Sequence, residues 1–194
     1  MITFKKYLKE VFTPEPTVDS ILQKVSPKKY QDLTLYHVST HIIEKFDINE
    51  YIARGSPPVY DPGIYFATDI DSLDQYITTI HHKKLTSYLY TINAKNLSLC
   101  RGESIPFIRF WTAMITEDEY PEQWQEYGNS LWQNDLGSYN ISAVPKTVLK
   151  RSYDYLIKNN IDGSYLDDNQ TQGDGDYICL WNPQKIDIID RKRI

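Results

Sequence analysis

The sequence predicts an α+β fold, and three observations predict it. Short runs rich in β-branched and aromatic residues recur at 33–38, 64–67, 88–92, 161–166, 176–181 and 186–189, bounded by Gly, Pro, Asn and Asp. Apolar residues recur at helical spacing in 3–12 and again in 145–157. Between them, Asp61-Pro62-Gly63 breaks the chain and opens directly into Ile64-Tyr65-Phe66-Ala67, which runs on into a capped helix.

Composition sets the outer limits. At 194 residues the chain fits one domain, or one domain with an appendage. Hydrophobic residues make up 41% and charged residues 24%, as in ordinary soluble globular proteins. The net charge is −5 and the Lys and Arg residues are scattered, which argues against nucleic-acid binding as the main activity, because phosphate neutralisation needs a concentrated basic face. The one basic run, Arg191-Lys192-Arg193, reads as a solvated tail. Two cysteines, Cys100 and Cys179, make no disulfide framework, and no Cys or His spacing points to a metal. A reducing cytoplasm fits that pattern. The N-terminus lacks a signal-peptide core and no eighteen-residue apolar run exists, so no membrane role is expected.

The elements follow in order. Phe4, Leu8, Val11 and Phe12 form one helical face, and Thr17 or Asp19 caps a second helix through Ile21, Leu22 and Val25. Residues 1–30 therefore read as a helical appendage to a domain at 31–194. Leu33 to Val38 alternates as a strand and ends in His37-Val38-Ser39. Ile42, Ile43 and Phe46 start a short helix, and Arg54 to Pro58 is turn-rich. After Ile64–Ala67, Thr68 or Asp69 caps a helix that sets Leu73, Tyr76 and Ile77 on one face and ends at His81-His82-Lys83-Lys84. Tyr65 and Tyr76 then flank a strand-to-helix corner, where they form either an aromatic slot for a flat ring or two half-buried core tyrosines. Tyr88–Ile92 is a strand, Asn93 to Asn96 a turn. Residues 100–142 read as a helical insertion, with apolar helices near 105–115 and 121–132. Ser142 caps a helix with Val148, Leu149, Tyr153, Leu156 and Ile157 on its apolar face. Strands at 161–166, 176–181 and 186–189 close the chain around the polar loop 167–175.

Three stretches carry a resemblance. His37-Val38-Ser39 at a strand end, Gly63 to Thr68 (GIYFAT) with a second Tyr eleven residues after the first, and Asp176-Tyr177-Ile178-Cys179 followed by Asn182-Pro183 stand in the order of the His, Tyr and acidic signatures of ADP-ribosyltransferases. The pattern resembles the diphtheria-toxin and poly(ADP-ribose) polymerase type and covers about residues 33–189. Each signature is weak alone; three in order are specific. The resemblance implies split β-sheets forming an NAD cleft with helices around them, and NAD as a consumed co-substrate. It also implies roles. His37 orients a ribose, the Val38 backbone and Ser39 grip the carboxamide, Tyr65 and Tyr76 sandwich the nicotinamide, and Asp176 stabilises the charge that develops on the ribose. Arg54 would lie near the pyrophosphate. Val38 replaces a frequent Gly and Asp176 a more usual Glu, a carboxylate about 1.5 Å shorter in reach. Some phage anti-CRISPR members also use Asp there.

The activity implied is mono-ADP-ribosyl transfer from NAD to a macromolecule, a protein in preference to a nucleic acid, with release of nicotinamide. The setting implied by analogy is a phage or bacterial effector acting on host proteins in the host cytoplasm. Two other readings stay open: a catalytically degenerate module that binds NAD, ADP-ribose or a protein, and an NAD glycohydrolase with water as acceptor.

Overall fold

The computed structural model describes residues 17–54, 61–115, 144–167 and 175–194. The helices predicted at 3–12 and 121–132, the turn at 55–58, Ser142 and residues 168–174 of the polar loop lie outside them, as does the Arg54 side chain. Six strands and five α-helices are described, an α+β fold as the sequence predicts. The helices are α1 (Val18–Leu22), α2 (Ile48–Arg54), α3 (Asp74–His82), α4 (Phe107–Met114) and α5 (Lys146–Lys158). The strands are β1 (Lys28–Ser39), β2 (Ile64–Ala67), β3 (Tyr88–Arg101), β4 (Gly163–Leu166), β5 (Tyr177–Leu180) and β6 (Ile186–Arg193).

The strands lie in the order β1-β2-β5-β4-β3-β6, and β1 also pairs along β3. One layer is β1-β3-β6 and the other β2-β5-β4. They share hydrogen bonds at two corners, a single Tyr36–Ala67 rung between β1 and β2 and three parallel rungs between β3 and β4. The ring of pairings closes, so the two expected sheets are joined into one. The cause is the length of β3. Its first half pairs with β6 and its last three residues with β4, while β1 runs along its other edge from Lys28–Leu99 to Ser39–Tyr88.

That pairing overrides three local expectations. Asn93 to Asn96 is part of β3 and not a turn, because Asp32–Lys95, Leu33–Ala94 and Thr34–Asn93 are paired positions; the local signal survives as a left-handed Asn96 at φ 51°. Arg191 to Arg193 is not a free tail but pairs with Tyr90, Leu89 and Tyr88, its side chains remaining exposed. No helix forms at 42–46. Ile43 N–H donates to the Tyr90 hydroxyl at 2.8 Å, and that hydroxyl donates to the His41 carbonyl at 3.1 Å, which pins the segment to β3.

Three apolar clusters follow from strand alternation. Leu35, Phe66, Tyr90, Ile92, Leu97, Leu99, Ile178 and Leu180 fill the space between the layers. Phe107, Phe110, Trp111, Val148, Leu149, Tyr153, Leu156 and Trp181 pack α4 and α5 on the other face of β5, with Ile21 and Val25 beside α1. Val38, Ala67, Leu73 and Ile80 seat α3 on the β1–β2 corner. At one end of β4, buried Asp162 joins three elements. It accepts from Ser98 N–H at 2.8 Å and Asn182 Nδ2 at 2.8 Å, and pairs with Lys185 Nζ at 2.6 Å.

Candidate functional site

Leu35 and His37 alternate onto the inter-layer side of β1, while Val38 turns away into the α3 cluster. The His37 ring packs edge-on to Phe46 at 5.1 Å and tilts against Phe66 and Tyr90 at 5.6 and 6.4 Å. Its Nδ1 lies 2.8 Å from the Tyr65 carbonyl. A carbonyl only accepts, so Nδ1 carries the proton and Nε2 is left as an acceptor in the neutral ring. Burial lowers the His37 pKa, and the bond to Tyr65 opposes that shift in part. The imidazole is therefore neutral at pH 7 and suited to receive a hydroxyl proton in a hydrogen bond. Ser39, at the end of β1, is buried, and its Oγ accepts from His41 N–H at 3.1 Å. The Cβ of Val38 does not crowd the inter-layer side, since it packs with Ala67, Leu73 and Ile80.

Tyr65 meets His37 through its backbone. Ile64 and Phe66 point between the layers, so the Tyr65 ring stands on the opposite face of β2, beside its register partner Cys179. Its hydroxyl donates to the Asp61 carbonyl at 2.5 Å, and the Cys179 thiol donates to the same oxygen at 3.3 Å. Gly63 makes this turn possible by close approach, because a Cβ there would lie 2.6 Å from Cys179 Sγ. Asp61 is itself buried. Its Oδ2 accepts from Glu103 N–H at 3.1 Å, and burial pushes its pKa up to about 6, with the Ser164 hydroxyl and the Glu103 N–H opposing. Tyr76 is 51% exposed on α3, whose buried contacts come from Leu73 before it and Ile80 within it, with Ile77 partly covered. No ring contact joins Tyr65 and Tyr76 among the described residues.

Asp176 stands one residue before β5. Its carbonyl accepts from Thr68 N–H at 3.1 Å and from Thr68 Oγ1 at 3.2 Å, so it hangs from the residue that follows β2. Its carboxylate accepts a hydrogen bond from the Tyr165 hydroxyl of β4. Alternation from Ile178 directs Asp176 to the inter-layer side, the side on which His37 packs. Gly175 beside it has φ 93°, and a Cβ there would fall 2.0 Å from Ser72 Oγ, so the position demands glycine twice over. The next turn is anchored too. Asp69 caps it through Ser72 N–H at 2.8 Å, and the Tyr177 hydroxyl donates to the Ser72 carbonyl at 2.6 Å.

The structure thus ties His37 to the Tyr65 carbonyl of β2 and hangs Asp176 from Thr68, just past the other end of β2, with both side chains directed to the inter-layer side. It leaves Tyr76 on an exposed helix face. Sequence reasoning missed Tyr165, Thr68 and Asp61. Asp61 reads as a turn former, and nothing in GSYL distinguishes Tyr165 from a packing tyrosine. A separate cavity of about 250 Å³ lies near Phe46, Lys150, Tyr153, Trp181 and Asn182, and none of the candidate residues lines it. Among the described residues no cluster of His, Cys, Asp and Glu could hold a metal ion. No described helix is long and apolar enough to cross a membrane.

No family model matches the chain, and no curated protein matches it. Among solved structures, a chain of the M. tuberculosis MbcT-MbcA toxin-antitoxin complex is similar at 12% identity and a TM-score of 0.48, over 91% of this chain and 91% of that one.

Proposed function

We propose that this chain is a mono-ADP-ribosyltransferase that moves ADP-ribose from NAD to a protein acceptor. The observation that supports the reading is that His37 and Asp176 both face the inter-layer side of β1-β2-β5, the first bonded to the Tyr65 carbonyl and the second hung from Thr68. These are the residues whose types and order resemble the His and acidic signatures. His37 Nε2 accepts from a ribose hydroxyl of NAD. The bond from ribose C1′ to the nicotinamide nitrogen breaks, its electron pair leaving with nicotinamide. Positive charge then develops on the sugar, as in glycoside hydrolysis. The Asp176 carboxylate holds the 2′-hydroxyl and stabilises that charge. The acceptor's nucleophile bonds to C1′ and releases its proton, so the products are ADP-ribosyl protein, nicotinamide and a proton. Tyr76 supplies a ring for the nicotinamide, and Tyr65 serves the site through its carbonyl, which fixes the His37 ring, while its own ring stands on the opposite face of β2.

The test is incubation with NAD labelled in the ADP-ribose part, with and without a bacterial lysate, comparing wild type with Asp176→Ala. Label on a discrete lysate protein, lost in the variant, is the expected result. Nicotinamide release without labelled protein would replace the reading with a glycohydrolase. Saturable NAD binding without turnover would replace it with a binding module.

A further inference from the structure

We infer that Tyr165 is a positioning residue for Asp176, the group that lets a carboxylate one methylene shorter than Glu serve in this site. The inference rests on the transferase reading and deepens it. Tyr165 sits in β4 with Ile178 of β5 as its register partner, so strand alternation sets Tyr165 and Asp176 on one face as diagonal neighbours. The Tyr165 hydroxyl donates to Asp176 Oδ2. The ring is clamped from behind, stacked on Tyr30 of β1 with centroids 6.3 Å apart and planes 15° from parallel. The backbone of Asp176 is held independently by Thr68. Asp176 is thus fixed at both its backbone and its carboxylate, by groups from β4 and from the residue after β2.

The chemistry gives this clamp a purpose. A short carboxylate has few rotamers with which to search for a substrate hydroxyl, so a fixed donor that selects one of them pre-organises the site. A carboxylate has about four lone-pair positions, so the bond to Tyr165 leaves acceptor capacity for a ribose hydroxyl. A hydroxyl donor, being neutral, also leaves the charge of the carboxylate uncancelled. Tyr165 touches neither nicotinamide nor the reacting carbon in this account. It acts through Asp176.

The experiment is steady-state nicotinamide release by wild type, Tyr165→Phe, Asp176→Asn, Asp176→Glu and the Tyr165→Phe/Asp176→Glu double variant, each across pH 4.5–8. Tyr165→Phe keeps the ring and its stack on Tyr30. It should lower kcat about tenfold, with KM for NAD within about threefold, because the lost bond acts on the transition state. Asp176→Glu should also lose activity, since the longer arm overshoots the hydroxyl, and adding Tyr165→Phe should then cost less than it does in the wild type. Wild-type kcat in Tyr165→Phe would overturn the inference, as would strictly additive losses. A wild type without turnover, or an Asp176→Asn variant as active as wild type, would overturn the underlying reading as well, which separates the two failures.

Discussion

A half-buried imidazole and a buried carboxyl give single residues opposite pH signatures. His37 has its pKa lowered by burial, so below pH 6.5 the unfolded chain binds a proton that the folded protein resists. Its contribution is complete above pH 6.5 and is lost as pH falls, and His37→Gln should flatten that slope in urea denaturation between pH 5 and 7.5. Asp61 behaves in the other direction. Its folded pKa is raised from 3.8 to about 6, so the folded state binds the extra proton between those values and stability falls as pH rises through them. At pH 7 the ionised carboxyl costs roughly 2–3 kcal/mol. Asp61→Asn, which keeps an acceptor for Glu103 N–H, should raise stability by up to that amount at pH 7.5 and leave it unchanged at pH 4. Equal effects at both pH values would show that the carboxyl's ionisation is not what the variant relieves. Candidate site residues could be picked out where their chemistry is rare. His37 and Asp176 stood out because a strand-end imidazole and a strand-opening carboxylate recur in a known order. The buried state of Asp61 was not legible, because DPG reads as a turn and the Glu103 N–H that it caps is more than forty positions away.

Elements show the same division between local and long-range signal. Short strands and their breakers were readable from composition. The Thr17 cap of α1 and the Asp69 cap before α3 were readable as well, since each is a side chain bonded to a nearby N–H. The true length of β3 was not, because its polar middle is held by β1, some sixty residues earlier. Two predictions belong at this scale. Gly163 backs against β5, where a Cβ would lie 2.2 Å from the Cys179 carbonyl. Gly163→Ala should push β4 off β5 at a cost of about 1–3 kcal/mol or more, and should lower turnover as well, because Tyr165 moves with β4. Asp162→Ala removes the acceptor shared by Ser98, Asn182 and Lys185. It should destabilise by roughly 2–4 kcal/mol, measured by urea unfolding, while Lys185→Met should cost less because that ammonium is partly in water.

At the scale of the molecule, two layers lean on each other through one rung at Tyr36–Ala67 and three at β3–β4. A dinucleotide seated on β1-β2-β5 would bridge the weaker corner. On the proposed reading, NAD at about a hundred times its Kd should stabilise Asp176→Asn by about 2.7 kcal/mol, seen as a rise in Tm. His37→Ala in the same background should reduce the rise. The closed ring of pairings was beyond the sequence, since a strand does not announce which of its edges will be taken. It also dictates a schedule. His37 and Tyr65 are synthesised early, yet the carboxylate arrives only just before β5, and β6 must still cover the first half of β3. A chain growing on the ribosome thus carries two of its three candidate groups through most of synthesis without the third. On the proposed transferase reading, activity waits for the last two strands, and a nascent chain arrested before Asp176 should release no nicotinamide at all.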